Sequence, residues 1–216
     1  MKIKILSGLC LFAAALLSNG SGATDAVPSA AEPSCCSPAE TGADAAMSSP
    51  EMTGSQIGQR APAFTLKDHN GQEVSLDALL KNGPVALVFI RSADWCLYCK
   101  LELVQLQRNL KAIEASGGRV VGISYDPVNI LKRFADQQTI TFTLLSDAGS
   151  KTIDAYDMRN KQTNDGSANH GVFILDQKGT IRATPYLLSS QPDQHNVDIL
   201  VNALKEARNV NGETKL

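Results

Sequence analysis

A strong charge of either sign is missing from this chain. Its 20 lysines and arginines face 22 aspartates and glutamates, for a net charge of −2 at pH 7. Without a basic surplus there is no electrostatic footprint for nucleic acid or anionic lipid. Long apolar runs are missing too. The only extended one, residues 5–17, is shorter than the roughly 20 residues a membrane span needs. Cysteine is sparse at five residues, four of them in two close pairs, which excludes a stapling framework for a 216-residue chain. No second pair follows Cys99, and the adjacent Cys35 and Cys36 have the wrong spacing, so a zinc ribbon is excluded as well. There is no internal repeat.

What is present begins with the N-terminus. Lys2 and Lys4 precede the apolar run, and Ser21-Gly22-Ala23 follows it with small residues. This order predicts a secretory signal over residues 1–23 and a periplasmic or otherwise secreted protein of bacterial type, with no membrane anchor after cleavage. Cys10 lies within the run behind Leu9, not behind the small residue a lipid-modified cysteine requires. Residues 24–55 are rich in Ala, Ser, Pro and Gly, cannot bury enough apolar area to offset ordering, and predict a disordered linker. Cys35 and Cys36 lie within it, as incidental thiols, a metal-capturing pair or an electron relay.

Residues 56–216 predict one α/β domain. Short strands at 64–66 and 73–76 flank the turn at 68–71 and form an N-terminal hairpin extension. Residues 84–90 are apolar on both faces, as in a central strand of a covered sheet. Leu97, Leu101 and Val104 form one apolar stripe, and Leu103, Leu106, Leu110 and Ile113 another. Together they predict a broadly buried helix over 97–115, ended by Ser116-Gly117-Gly118. A second strand follows at 119–125. Asp126-Pro127 reads as N-cap and first residue of the next helix, with Ile130, Leu131 and Phe134 as its apolar face. Strand 141–145, a polar loop at 159–169, a hairpin of 171–175 with 180–184, and a last helix carrying Val197, Leu200, Val201 and Leu204 complete the order. Alternating elements predict a mixed sheet with helices on both faces.

The chemistry concentrates in Ala93-Asp94-Trp95-Cys96-Leu97-Tyr98-Cys99-Lys100, where a strand runs into a helix. The free amides and dipole of a helix N-terminus stabilise a thiolate, the reactive form of cysteine. A second cysteine one turn on can close a disulfide. The pair reads as a reversible disulfide, with Cys96 exposed at the helix entrance and Cys99 resolving. Two structural cysteines are the alternative. Trp95 reads as packing and recognition surface beside the pair. Arg91 and Asp94 flank it, as charges that tune a thiolate or as solvated side chains. His170 reads as a loop residue, a proton donor, or a third ligand with Cys96 and Cys99. Two thiolates and an imidazole suit a soft ion such as Cu(I). His69 and His195 carry no assigned role.

Several further segments carry a resemblance. These are Ala61-Pro62-Ala63-Phe64-Thr65-Leu66, Trp95 to Cys99, Val121-Gly122-Ile123-Ser124-Tyr125-Asp126, Leu144-Leu145-Ser146-Asp147 and 171–179. In this order and spacing they resemble the peroxiredoxin-like (alkyl hydroperoxide reductase and thiol-specific antioxidant) family over roughly residues 57–207. The resemblance implies a thioredoxin-like fold and thiol-based antioxidant chemistry, with a thiol reductant as electron donor, a possible peroxide substrate and no cofactor. The family's peroxidatic run, Pro-x-x-x-Thr-x-x-Cys with Glu three residues on, places Cys99 and Glu102 at the Cys and Glu. Cys96 falls on the Thr position, Ser92 on the Pro, and His170 near the Arg. The paired cysteines resemble thiol-disulfide oxidoreductases of the thioredoxin group, in which a cis-proline stands where His170 does here and a buried acid aligns with Ile90. The copper-delivering Sco proteins resemble the Cys96, Cys99, His170 set, with a wider cysteine spacing. The expected function is a secreted thiol-disulfide oxidoreductase. A thiol peroxidase, with a sulfenic acid on Cys99 or Cys96, and a copper module are the alternatives.

Overall fold

A computed structural model describes residues 56–185 and 194–210, the side chains of 194–196 excepted. The expected signal segment, the linker and Cys10, Cys35 and Cys36 lie outside the described residues. Seven strands form one mixed sheet in the order β2-β1-β5-β4-β3-β6-β7. The three parallel strands at its centre are β3 (Val85–Phe89), β4 (Arg119–Ser124) and β5 (Thr143–Ser146). On one side the hairpin β1 (Thr65–Asp68) and β2 (Glu73–Ser75) joins antiparallel to β5. On the other, β6 (Gly171–Leu175) pairs antiparallel with β3 and then with β7 (Ile181–Ala183). This is the thioredoxin-like architecture expected, with the hairpin as its N-terminal extension.

Side chains of a strand alternate between faces, and β3 shows what that builds. Ala86, Val88 and Ile90 face a cluster with α2 (Leu97–Arg108), α4 (Val128–Gln138) and α6 (Gln194–Asn209). Val85, Leu87 and Phe89 face a second cluster with α1 (Leu76–Leu80) and α5 (Lys151–Ala155). Helices therefore cover both faces, and every β3 residue is buried. On the second face Phe89, Tyr156 and Phe173 pack ring against ring at 5.1–5.7 Å. Burial pushes the Tyr156 hydroxyl above its ordinary range, and it donates to the Pro62 carbonyl at 3.0 Å.

Four expectations need correction. The helix over 97–115 is two helices, α2 and α3 (Leu110–Ala115), broken at Asn109. The Asn109 amide donates back to the Gln105 carbonyl at 2.9 Å, the local competition that makes asparagine a poor helix interior. Leu97 and Leu101 are exposed, so of that stripe Val104 alone packs on the core, and Cys99, Leu103 and Leu106 form the buried stripe. Residue 76 starts α1, because the Ser75 hydroxyl accepts from the Ala78 amide at 3.2 Å and caps it. α4 begins at Val128 behind Pro127, and Asp126 turns elsewhere. The predicted end at Ser116 holds: Gly117 takes φ +84, a conformation glycine adopts without strain.

Truncating the two stripes of α2 should separate them. Leu103→Ala should cost about 2–5 kcal/mol in urea denaturation, and Leu97→Ala less than about 0.5 kcal/mol.

Candidate active site

The site is made where β3 ends and α2 begins. Parallel pairing sets Phe89 beside Ile123, so the loop 91–96 leaves β3 next to Ser124 and Asp126. The buried Asp126 carboxylate then holds that loop. It accepts from the Ser92 hydroxyl at 2.9 Å, the Ala93 amide at 2.6 Å and the Ser124 hydroxyl at 2.9 Å. Ser92 passes the constraint on, accepting from the amides of Asp94 at 2.9 Å and Trp95 at 3.4 Å. Both carboxylate oxygens are thus engaged in tying the loop to β4. Asp126 was expected as a helix cap. Two of its three partners, Ser92 and Ala93, stand 34 and 33 residues away in sequence and come adjacent only once β3 and β4 pair.

The turn delivers Cys96 to the N-cap position of α2, where its sulfur accepts the Cys99 amide at 3.3 Å. Cys96 and Cys99 are joined as a disulfide, with Cα atoms 5.3 Å apart. Cys96 was expected to be exposed at the helix entrance. It is 6% exposed and Cys99 1%, because both turn inward onto the cluster that holds Ala93 and Leu103. The surface above them is apolar instead: Trp95 is 45% exposed, Leu97 62% and Tyr98 59%. The indole of Trp95 donates to the Tyr125 hydroxyl at 3.0 Å, and the Arg91 guanidinium lies 5.0 Å over its ring. Asp94 pairs with Arg133 at 2.7 Å, and Lys100 donates to the Asp94 carbonyl at 2.7 Å. Leu97, Leu101, Val104 and Phe134 line a groove between α2 and α4 beside these charges.

Glu102 and His170 are brought together, carboxylate to imidazole Nε2, with side chains 12% and 10% exposed. His170 immediately precedes β6, whose Gly171 pairs with Phe89 of β3. The polar segment before it is folded on itself. Asn160 and Asn169 bond back across it at 2.9 and 2.6 Å, and hydrogen bonds from Ser167 and Thr163 hold the Asp165 carboxyl down at about 2. Among the described residues no group of three or more His, Cys, Asp or Glu is disposed to hold a metal ion. The copper set of Cys96, Cys99 and His170 is therefore not assembled in this state; His170 is engaged by Glu102. His69 accepts the Leu144 amide at 3.3 Å and belongs to the sheet edge.

The model of the AhpC/TSA family matches residues 57–184. The chain belongs to the AhpC/TSA family. Peroxiredoxin Bcp of Escherichia coli is 27% identical over 155 residues, 70% of this chain and 96% of that protein. Alkyl hydroperoxide reductase E of Mycobacterium tuberculosis is 38% identical over 128 residues, 58% of this chain and 82% of that protein. The crystal structure of peroxidoxin BcpB from Mycobacterium tuberculosis superposes with a TM-score of 0.61 at 25% identity, covering 69% of this chain and 96% of that one. With AhpC/TSA membership and a buried cysteine pair at a helix N-terminus, this chain is a thiol-dependent oxidoreductase.

The Asp126 network should be measurable as stability. Asp126→Ala leaves one amide and two hydroxyls buried without an acceptor and should cost at least about 2 kcal/mol. Asp136→Ala, which removes an exposed pair with Lys132, should change urea stability by less than about 0.5 kcal/mol.

Proposed function

We propose that this chain reduces hydroperoxides with Cys96 and Cys99 and is returned to the dithiol by a protein thiol donor. The observation that carries this is the bonded pair at the helix cap. An oxidised Cys96 meets its resolving thiol one turn away, with no rearrangement of the helix. Membership of the AhpC/TSA family supports the peroxide as substrate, as do relatives named as a peroxiredoxin and an alkyl hydroperoxide reductase.

The steps are these. The Cys96 thiolate, stabilised by the Cys99 amide and the helix dipole, attacks the peroxide. The O–O bond breaks, Cys96 becomes a sulfenic acid, and the alkoxide leaves as an alcohol after taking a proton. The Cys99 thiol then attacks the sulfenic sulfur, releasing water and forming the disulfide. A donor dithiol attacks Cys96 and, through a mixed disulfide, leaves both cysteines reduced and itself oxidised. Cys96 is assigned the first attack because it is the more exposed sulfur and takes the amide hydrogen bond. The alignment with the family's peroxidatic run favours Cys99, and the test below separates the two. The leader-like residues 1–23 support work in the periplasm or another secreted setting.

Thiol-disulfide exchange with a protein substrate is the second reading. The exposed collar of Trp95, Leu97 and Tyr98 around a buried disulfide favours it, because such a surface suits a protein better than a small peroxide.

Single-cysteine variants distinguish these. Under stoichiometric peroxide, Cys99→Ser should give a trappable sulfenic acid on Cys96, and Cys96→Ser should leave Cys99 nearly unreacted, both read by mass after dimedone labelling. The reverse pattern moves the first attack to Cys99. Failure of either sulfur to oxidise, with ready mixed-disulfide formation, makes the chain a disulfide oxidoreductase.

A further inference from the structure

The Glu102–His170 pair is not explained by the sulfur chemistry alone. Cys99 and Glu102 are three residues apart on the inward face of α2, so their side chains are neighbours. His170 enters from the opposite side, at the level where β3 hands over to the site loop. The pair therefore lies one helical turn along α2 from Cys99, with side chains 12% and 10% exposed. Glu102 Oε1 and His170 Nδ1 are buried and have no hydrogen-bond partner. A buried polar pair kept only for packing is poorly motivated, since apolar residues of like volume serve as well or better. Leaving one polar atom of each member unsatisfied adds to its cost.

We propose that Glu102 and His170 act together as the proton carrier of Cys99. The proposal rests on Cys99 being the resolving sulfur of the reaction above. When a donor thiolate attacks Cys96, the Cys96–Cys99 bond breaks and Cys99 leaves with the electron pair. At 1% exposure it has little water to draw a proton from. His170, protonated and steadied by the Glu102 carboxylate, gives that proton and stays neutral while the two cysteines are reduced. On re-oxidation the flow reverses. His170 takes the Cys99 proton as its sulfur attacks the Cys96 sulfenic acid, and the leaving hydroxide takes a proton from solvent and departs as water. Histidine suits both directions because it changes charge near neutral pH.

The other charged groups around this end of the sheet have separate engagements. Asp94 is held by Arg133, Lys100 by the Asp94 carbonyl, and Asp126 by the loop. Arg91 stacks on Trp95, and Asp198 of α6 is exposed.

The test is the rate of opening of the Cys96–Cys99 disulfide by dithiothreitol, followed across pH 5–9 in wild type, His170→Gln and Glu102→Gln. After correction for the thiolate fraction of dithiothreitol, wild type should show one further ionisation. His170→Gln should remove it and slow opening about 10-fold or more near pH 7. Glu102→Gln should also slow opening near pH 7, by leaving the imidazole without the partner that orients it. Thermal unfolding checks that each variant is folded; if one is not, the other decides. Profiles that overlay wild type in a folded variant overturn the proposal. Dithiothreitol opening needs no peroxide, so failure of the peroxidase reading would appear separately, as thiols inert to hydroperoxide.

Discussion

One buried carboxylate organises the reactive end of this molecule. Asp126 receives hydrogen bonds from Ser92, Ala93 and Ser124, and so ties the loop leaving β3 to the strand beside it. Because Ser92 in turn takes the amides of Asp94 and Trp95, the path into α2 is set residue by residue. Cys96 arrives at the N-cap as a consequence, and its sulfur receives the helix amide that a thiolate needs. A charge buried this deeply is costly unless fully bonded. Here two of its three bonds go to the segment that leads into the cysteine pair.

From that constraint follows a division of labour between the two faces of α2's first turn. Outward lie Trp95, Leu97 and Tyr98, an apolar surface. Inward lie the sulfurs, with Glu102 one turn further along α2 and paired with His170. Burial of the disulfide narrows the approach of solvent to both sulfurs. It also removes bulk water as a ready proton source, which is why a second titratable pair on the inner side has chemical meaning.

Much of this was legible in the sequence. The wholly apolar stretch at 84–90, the cysteine spacing at a strand-to-helix junction, and the hairpin turns identify the sheet and place the redox pair. Periodicity could not tell which α2 stripe faces the core, because Leu97 and Leu101 repeat as regularly as Leu103 and Leu106 and only the packing against β3 decides. Asn109 breaks the helix through its own side chain, a choice the apolar pattern around it does not reveal. Asp126 before Pro127 has the form of a cap, and the true use of its carboxylate depends on a loop from another strand. The Glu102–His170 contact joins residues 68 positions apart. Glu102 and His170 were each picked out from the family pattern, but their pairing exists only once β6 lies against β3.

The central claim is that peroxide oxidises this cysteine pair directly to its disulfide. The chain's only tryptophan, Trp95, adjoins Cys96 and reports on that event. The most direct measurement is stopped-flow Trp95 fluorescence of the reduced protein mixed with hydrogen peroxide or an alkyl hydroperoxide, with thiols counted at the end. The account predicts a phase whose rate rises in proportion to peroxide and which ends with two thiols lost per peroxide consumed and Cys96 bonded to Cys99. Thiols that stay reduced in excess hydroperoxide, yet oxidise at once with a protein disulfide, would contradict it.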